Sequence, residues 1–226
     1  MELVGYIAAS AQELAQISEG DAGEYLGSLE NLEMLMDFCI ARKCPAVIAT
    51  TGFSLEQQQI LQQSLITVIG CGGLGGFIIE GLARSGVGAL RLIDFDTFDT
   101  SNLNRQLFAT EQGVGQSKLE QAVKRVQAVN HTVVVEAVAA KADQDNLPEL
   151  IRGSSMVMDG VDSIEVKIWL EQICNKMGIP LIHGAIGGNY GQMAVSLPTA
   201  PVVAALYQNG QQDGIEKELG NPYYTP

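Results

Sequence analysis

The sequence predicts a doubly wound α/β fold, a mostly parallel sheet with helices on both faces, preceded by a small N-terminal α/β extension. Three observations predict it. Short apolar, β-branched runs alternate with helical patterns along most of the chain, the pattern of strand–helix–strand units. One such run ends in Gly70-x-Gly72-x-x-Gly75, a turn that carries a strand into a helix. An acidic residue, Asp94, closes the next run about twenty residues on, which completes the outline of a Rossmann-like dinucleotide-binding turn.

Each element has its own warrant. "VGYIAA" at residues 4–9 reads as a short strand, and Ser10-x-x-Glu13 as a capping box that opens a helix. "NLEMLMDFCIARK" sets Leu32, Leu35, Met36, Cys39 and Ile40 at helical spacing; Pro45 stops it, and "AVIATTG" follows as a strand. Residues 1–52 thus form an extension whose role is not legible, and residues 53–226 form the main domain. There, a helix starts at Ser54 and Leu65–Ile69 is a strand. The glycine turn leads into a helix ending at Arg84, and "ALRLID" is the second strand. Ser117-x-x-Glu120 caps a helix that ends near Asn130, and "TVVVEAV" is the third strand. "DNLPELI" is a helical turn, "SMVMD" the fourth strand, and Ser163 to Met177 a helix whose Trp169 and Met177 face the core. Pro180–Gly184 begins a fifth strand and "GQMAVSL" a sixth.

Composition bounds what such a domain can do. With 226 residues, 46% apolar and 25 glycines, the chain suits a sizeable core with many tight turns. The formal net charge of −13, with no run of Lys and Arg, argues against a nucleic-acid partner. Residues 1–50 carry eight acidic and two basic side chains. Cys39, Cys44, Cys71 and Cys174 form no C-x-x-C pair, so no zinc is expected, and disulfides are not expected in a chain of this size without a secretory signal. "MELVGYIAAS" has neither a basic start nor a long apolar run, and no stretch approaches membrane-spanning length; the expected location is the cytoplasm.

The candidate site residues follow the glycine turn. Glycines let backbone approach phosphates, and the following helix offers N–H groups and a positive dipole end; glycine turns also occur for packing alone. Asp94 stands where a doubly wound sheet meets a ribose, and does not separate NAD from ATP, which share the adenosine half; a turn cap is its other reading. Asp96 and Asp99 crowd the same loop, an arrangement that calls for a cation, either magnesium or Arg105. Arg105 offers a planar fork for phosphate oxygens, and Lys118 a compact charge in a helix's first turn, where it opposes the dipole. Taken singly, Lys118 reads equally well as a solvated surface lysine. Together the two cations suit a site that cleaves between phosphates, where charge moves onto departing pyrophosphate. Asp162, at the carboxyl end of the "MVMD" strand, is either a helix N-cap or a magnesium ligand, and we assign it magnesium. Asp159 reads as buried and structural, His183 as a framework histidine rather than a proton carrier, and Cys71 as packing.

In order, "GCGGLG", "DFD", "SNLNRQ", "GQSK" and "DGVDS" resemble the ThiF/MoeB/HesA family, the bacterial relatives of ubiquitin-activating enzymes, over about Gln57 to Pro222. "LARSGVG" and "GIPLIHGAIGGNYGQ" are similar to family segments as well. The resemblance implies an adenylyltransferase that binds ATP and magnesium, forms a homodimer, and activates the terminal Gly-Gly carboxylate of a small ubiquitin-fold sulfur-carrier protein of the thiamine thiazole or molybdopterin type. It implies a nucleotide site of Gly70, Gly72, Gly73, Gly75, Asp94, Asp96, Ser101, Asn102, Asn104, Arg105, Lys118, Asp162 and Ser163. Asp94 would take the ribose, Asn102 and Arg105 the phosphates, Lys118 the departing charge and Asp162 the Mg2+. The chain departs from the pattern in several places. It lacks the paired zinc cysteines of many relatives, and nothing after Cys174 is a cysteine, which implies adenylation without covalent transfer. Ala46 stands where relatives often carry an arginine, with Arg42 as the candidate substitute. Ser163 and Lys167 stand for a common Asn and Arg, and the family usually continues past "GNPYYTP"; a shortened chain and a reduced member both fit. Three other readings are a tRNA-modifying dehydratase relative, to which "DSIEVK" is faintly similar, an NAD(P)-dependent oxidoreductase, which leaves Arg105 and Lys118 without a task, and a non-catalytic family member.

Overall fold

The computed structural model describes residues 55–187 and 190–208. The expectations for the first 54 residues, including the strand, the capping box, the boundary at residue 52 and the Ala46/Arg42 pair, lie outside the described residues. The chain divides into two units at Leu61/Gln62, and the second carries the sheet.

Helix α1 (Leu55–Gln63) precedes strand β1 (Leu65–Ile69). The glycine turn then opens α2 (Gly73–Arg84), and β2 (Ala89–Ile93) follows. Two single-turn 3-10 helices, Thr100–Asn102 and Glu111–Gly113, shape the long connection to α3 (Lys118–Val129). Then come β3 (Val134–Val138), α4 (Leu147–Leu150), β4 (Met156–Asp159), α5 (Ile164–Met177), β5 (Leu181–Gly187), β6 (Tyr190–Ser196) and α6 (Val203–Gln208). The strand order is β3-β2-β1-β4-β5-β6, parallel except for β6, which runs antiparallel to β5. No helix among the described residues is long and apolar enough to cross a membrane.

Helix ends agree with the capping chemistry in the sequence. Ser117 Oγ accepts from the Glu120 N–H at the start of α3, and Ser163 Oγ accepts from Val166 N–H at the start of α5. Gly178, at φ +73°, ends α5 in the left-handed conformation that only glycine adopts without strain.

The two helical layers have different partners. Val68 faces α2, since its Cγ1 lies 3.9 Å from where a Cβ on Gly75 would stand. Ile66 shares that face by alternation, and Leu90 and Leu92 by the in-phase register of β2. Ile69, Ile93 and Val157 pack on the other face with Leu170, Ile173 and Cys174 of α5, Leu147 of α4, and Val203 and Tyr207 of α6. Trp169 is half-buried against that cluster, as expected, but Met177 is 38% exposed and is not core: it is the last residue of α5, past the sheet-facing stripe.

The site is set by this topology. Chain order reverses between β1 and β4, so the connections after these two strands leave in opposite directions and open a crevice at their carboxyl ends. The register pairs Ile69 with both Ile93 and Asp159, and Asp159 with His183, so the ends of β1, β2, β4 and β5 form one row.

Candidate functional site

Gly70 starts the turn at φ +92°, and a Cβ there would lie 2.6 Å from Gly160 O. A Cβ on Gly75 would lie 1.8 Å from Gly70 O, and one on Gly160 2.9 Å from the same oxygen. The turns after β1 and β4 therefore touch backbone to backbone, and α2 packs directly on the end of β1. Gly70, Gly75 and Gly160 are obliged by sterics. Gly160 was missed in the sequence, although a glycine directly after a strand in "DGVDS" was its signal. Gly72 and Gly73 are different: Gly72 is the N-cap of α2 with no side-chain cap, and a Cβ on Gly73 would meet nothing closer than Arg105 O at 3.9 Å. Gly73 thus leaves the helix's first turn open to close approach, while Gly72 faces the Gln106 carboxamide, 3.6 Å from its Cβ position.

Asp94 is buried, with its carboxylate held between two backbone donors. Oδ2 accepts from Cys71 N–H at 2.7 Å and Oδ1 from Asp96 N–H at 2.8 Å. It thereby ties the glycine turn to the loop after β2. The other two carboxylates of that loop are met by Lys118 and by backbone, and not by Arg105, one of the two cations expected there. Asp96 pairs with Lys118 Nζ at 3.3 Å, and Asp99 caps the Thr100–Asn102 turn by accepting from Ser101 N–H at 2.8 Å, which holds its carboxyl below the ordinary range. Arg105 does not serve them: its Nη1 donates to Ser101 O at 2.7 Å and to Asn104 Oδ1 at 3.1 Å. Close backbone N–H donors and Lys118 stabilise these anions, so no guanidinium is needed there.

Asn102 is buried and its Oδ1 accepts from Asp99 N–H at 3.0 Å, completing a reciprocal cap. That cap fixes the loop so that residues 105–108 lie over the start of α2. Arg105 O is the nearest neighbour of a Cβ on Gly73, the Gln106 carboxamide of one on Gly72, and Leu107 Cβ of one on Gly76. The polar segment "SNLNRQ" and the glycine turn, far apart in sequence terms, are thus one structural unit. Lys118 joins it from α3, only 9% exposed, with its N–H bonded to Asp96 O. Its ammonium and the Asp94 carboxylate both act on the Cys71 thiol, which burial above all pushes well up from its usual value. Cys71 is 1% exposed and is packing, as expected.

Asp162 is exposed after β4 and makes no hydrogen bond or close ion pair among the described residues. Its N-cap reading is set aside, because Ser163 performs that role. Behind it lies a buried network. Asp159, 0% exposed, accepts from Lys167 Nζ at 3.0 Å and from Val161 N–H at 3.1 Å, and His183 Nδ1 lies 2.7 Å from its Oδ2. Lys167 Nζ also donates to Gly184 O at 2.8 Å; burial lowers its pKa although Asp159 opposes the shift. His183 Nε2 faces Tyr207 Oη and Gln192 Nε2, both at 3.2 Å. The histidine is framework, as expected, and Asp159 and Lys167 hold the loop that presents Asp162.

Of the expected residues, the structure joins Gly70, Gly72, Gly73, Gly75 and Asp94 at the start of α2, brings the backbone oxygen of Arg105 over Gly73, links Asp96 and Lys118 to the turn through Asp94, and sets Asn102 one hydrogen bond behind Gln106. Ser101 and Asn104 are exposed and hold the Arg105 fork. Asp162 and Ser163 follow the neighbouring strand end, with the Ser163 hydroxyl engaged in its cap.

A glycine-lined helix start at the switch point of a doubly wound sheet, closed by an acidic residue at the end of β2, defines a Rossmann-like α/β domain. The chain belongs to the ThiF family, whose model matches residues 44–219. It is similar to the SAMP-activating enzyme E1 of Haloferax volcanii, 38% identical over 159 residues, covering 70% of this chain and 59% of that protein. It is equally similar to the molybdopterin-synthase adenylyltransferase of Salmonella typhimurium, 38% identical over 148 residues, covering 66% of this chain and 59% of the relative. Among solved structures it resembles the E. coli tRNA N6-threonylcarbamoyladenosine dehydratase, TcdA, in complex with ATP, with a TM-score of 0.62, 31% identity and 74% of each chain covered. The chain thus spans about three fifths of the length of these curated relatives.

Proposed function

We propose that the crevice binds ATP, and that residues 53–226 form an adenylation domain that activates the C-terminal carboxylate of a small ubiquitin-fold sulfur-carrier protein. The carboxylate attacks the α-phosphorus, an acyl-adenylate forms and pyrophosphate leaves. The observation that carries this reading is the seating of "SNLNRQ" and Lys118 on the glycine turn, which a nicotinamide site does not need. The names of the relatives, adenylyltransferases acting on molybdopterin synthase and on sulfur carriers, support the same reaction class.

Each residue then has a task. Asp94 uses one lone pair of each oxygen on backbone, and the others can accept from ribose hydroxyls. The first turn of α2 receives phosphate oxygens through its N–H groups. Arg105 spends both of its side-chain contacts on Nη1, which Ser101 O and Asn104 Oδ1 hold, so Nε–H and Nη2 of the fork can turn to phosphate. Lys118 has one of three donors on Asp96; the others stabilise charge on departing pyrophosphate, the place where an electrostatic contact lowers the barrier most. The described residues hold no cluster of three metal-ligating side chains, and Asp162 offers a single exposed carboxylate. That fits Mg2+, which is commonly held by one or two carboxylates, substrate phosphates and water. When bound, magnesium neutralises phosphate charge. We further propose a homodimer, to be read from light scattering of the purified chain.

The test is pyrophosphate exchange into ATP with magnesium and each ubiquitin-fold carrier of the source organism. Exchange with one carrier is expected. No exchange with any carrier, joined to tight NADH binding, overturns the reading. The likeness to ATP-bound TcdA favours a second reading, action on tRNA. A net charge of −13 opposes it, because affinity for a polyanion rests on neutralising phosphates. ATP turnover stimulated by tRNA and by no carrier is the outcome that selects it.

A further inference from the structure

Gln106 is the last residue of "SNLNRQ". It is 8% exposed, and its Oε1 is buried without a hydrogen-bond partner among the described residues. Such an orphaned acceptor is rare in folded proteins and calls for an explanation. Its position supplies one. Around Gly72, the N-cap of the twelve-residue α2, the nearest atoms outside the chain's own neighbours are Gln106 Nε2 at 3.6 Å, Cδ at 3.8 Å and Oε1 at 3.9 Å from a Cβ position. The carboxamide therefore lies across the uncapped start of a helix that has no acidic residue in its first turn. Its backbone is fixed from both sides: Gln106 N–H donates to Asn102 O at 2.9 Å, and Gln106 O accepts from Ala109 N–H at 3.0 Å. The amide is held in place by main chain, and one of its polar atoms is unused.

We infer that Gln106 is a nucleotide contact, whose carboxamide oxygen accepts a hydrogen bond from an O–H that arrives with a nucleoside polyphosphate seated on the α2 N-terminus. The inference rests on the nucleotide reading above and adds a residue to it. Phosphoryl oxygens are acceptors and do not satisfy Oε1. The donor is an O–H that accompanies the phosphates, either a ribose hydroxyl or a water on the nucleotide's cation, while Nε2 faces the anion with its own N–H groups. An acceptor left unsatisfied in the resting protein and satisfied on binding adds to affinity at a cost to resting stability, so its removal separates the two quantities.

The experiment is calorimetric titration of ATP, with magnesium and with chelator, into the wild type and Gln106→Met, together with thermal melting of both proteins without ligand. Met keeps the length and volume of the side chain and removes the polar atoms. The expected result is about tenfold weaker ATP binding, the scale of one hydrogen bond, in a variant that melts at or above the wild-type temperature. Weakening only with magnesium assigns the donor to the cation's water; weakening in both conditions assigns it to the ribose. Unchanged affinity overturns the inference, and so does a variant that melts lower or fails to fold, because an amide with structural partners gives that result. A wild type that does not bind ATP overturns the nucleotide reading itself, an outcome distinct from an unaffected variant.

Discussion

A lysine in the first turn of a helix sits against the dipole, and Lys118 does so while nine-tenths buried. Its ion pair with the half-exposed Asp96 contributes at most about 1 kcal/mol, so that contact does not account for a lysine at this place. Lys118→Met is therefore expected to leave the unfolding free energy from urea titration within about 1 kcal/mol of the wild type. The same change should lower carrier-dependent pyrophosphate exchange by about two to three orders of magnitude, the usual loss when a group that stabilises developing charge is removed. A variant that unfolds easily but turns over normally would make Lys118 a structural residue. The two described cysteines give a second check at this scale. Burial raises the Cys71 thiol and pushes that of Cys174 up to about 12, so neither carries thiolate near neutrality. Iodoacetamide at pH 8 should leave both unmodified in the native protein and label both in urea, read by peptide mass.

Among the elements, α2 and α6 show what was legible in the chain and what was not. The start of α2 was readable because glycine spacing has a local cause, the close crossing of Gly70 and Gly75. Which glycine serves packing and which serves approach was not readable, since that depends on Gly160 and on the loop carrying Arg105. Substitution separates them. Gly75→Ala drives a Cβ into Gly70 O and is expected to cost more than about 3 kcal/mol or prevent folding. Gly73→Ala has room and should fold normally, but with weaker ATP binding. Gly81→Ala, with nothing within 4 Å, should add about 0.5–1 kcal/mol in urea titration. Helix α6 had no sequence signal, because Val203–Gln208 is too short to show a period. It is set by a distant residue: Glu171, 1% exposed, accepts from Ser196 Oγ and from the N–H groups of Val202, Val203 and Ala204. The strands and helices α2, α3 and α5 were legible from local patterns; the two 3-10 turns, α6 and the paths of Arg105 and Gln106 follow from tertiary hydrogen bonds that no local pattern encodes.

For the molecule as a whole, the acidic composition pulls stability in two directions as pH falls. Neutralising ordinary carboxylates relieves the self-repulsion of a chain at −13. A few carboxylates do the opposite, because the fold has lowered their pKa. Glu80 on α2 is the clearest: hydrogen bonds from Arg125 of α3 at 2.7 Å, then from Arg84, bring it from 4.5 to about 2 against the effect of its own burial. For Glu171, burial raises the carboxyl, but the four hydrogen bonds it accepts together prevail and the net shift is downward. A group whose folded pKa lies below its unfolded value binds fewer protons in the native state. Its contribution is complete above the unfolded value and is lost as pH falls through the folded one. For Glu80 that window runs from about pH 4.5 down to about pH 2. Urea midpoints are accordingly expected to hold steady from pH 7 to pH 5 and to fall steeply below. Glu80→Gln tests the assignment, since its amide cannot carry the charge that Arg125 and Arg84 meet. The variant should be less stable than the wild type at pH 7, and the two curves should converge as pH approaches 2. A constant gap between them across the whole range would mean that packing between α2 and α3, and not the ionised carboxylate, is what Glu80 contributes.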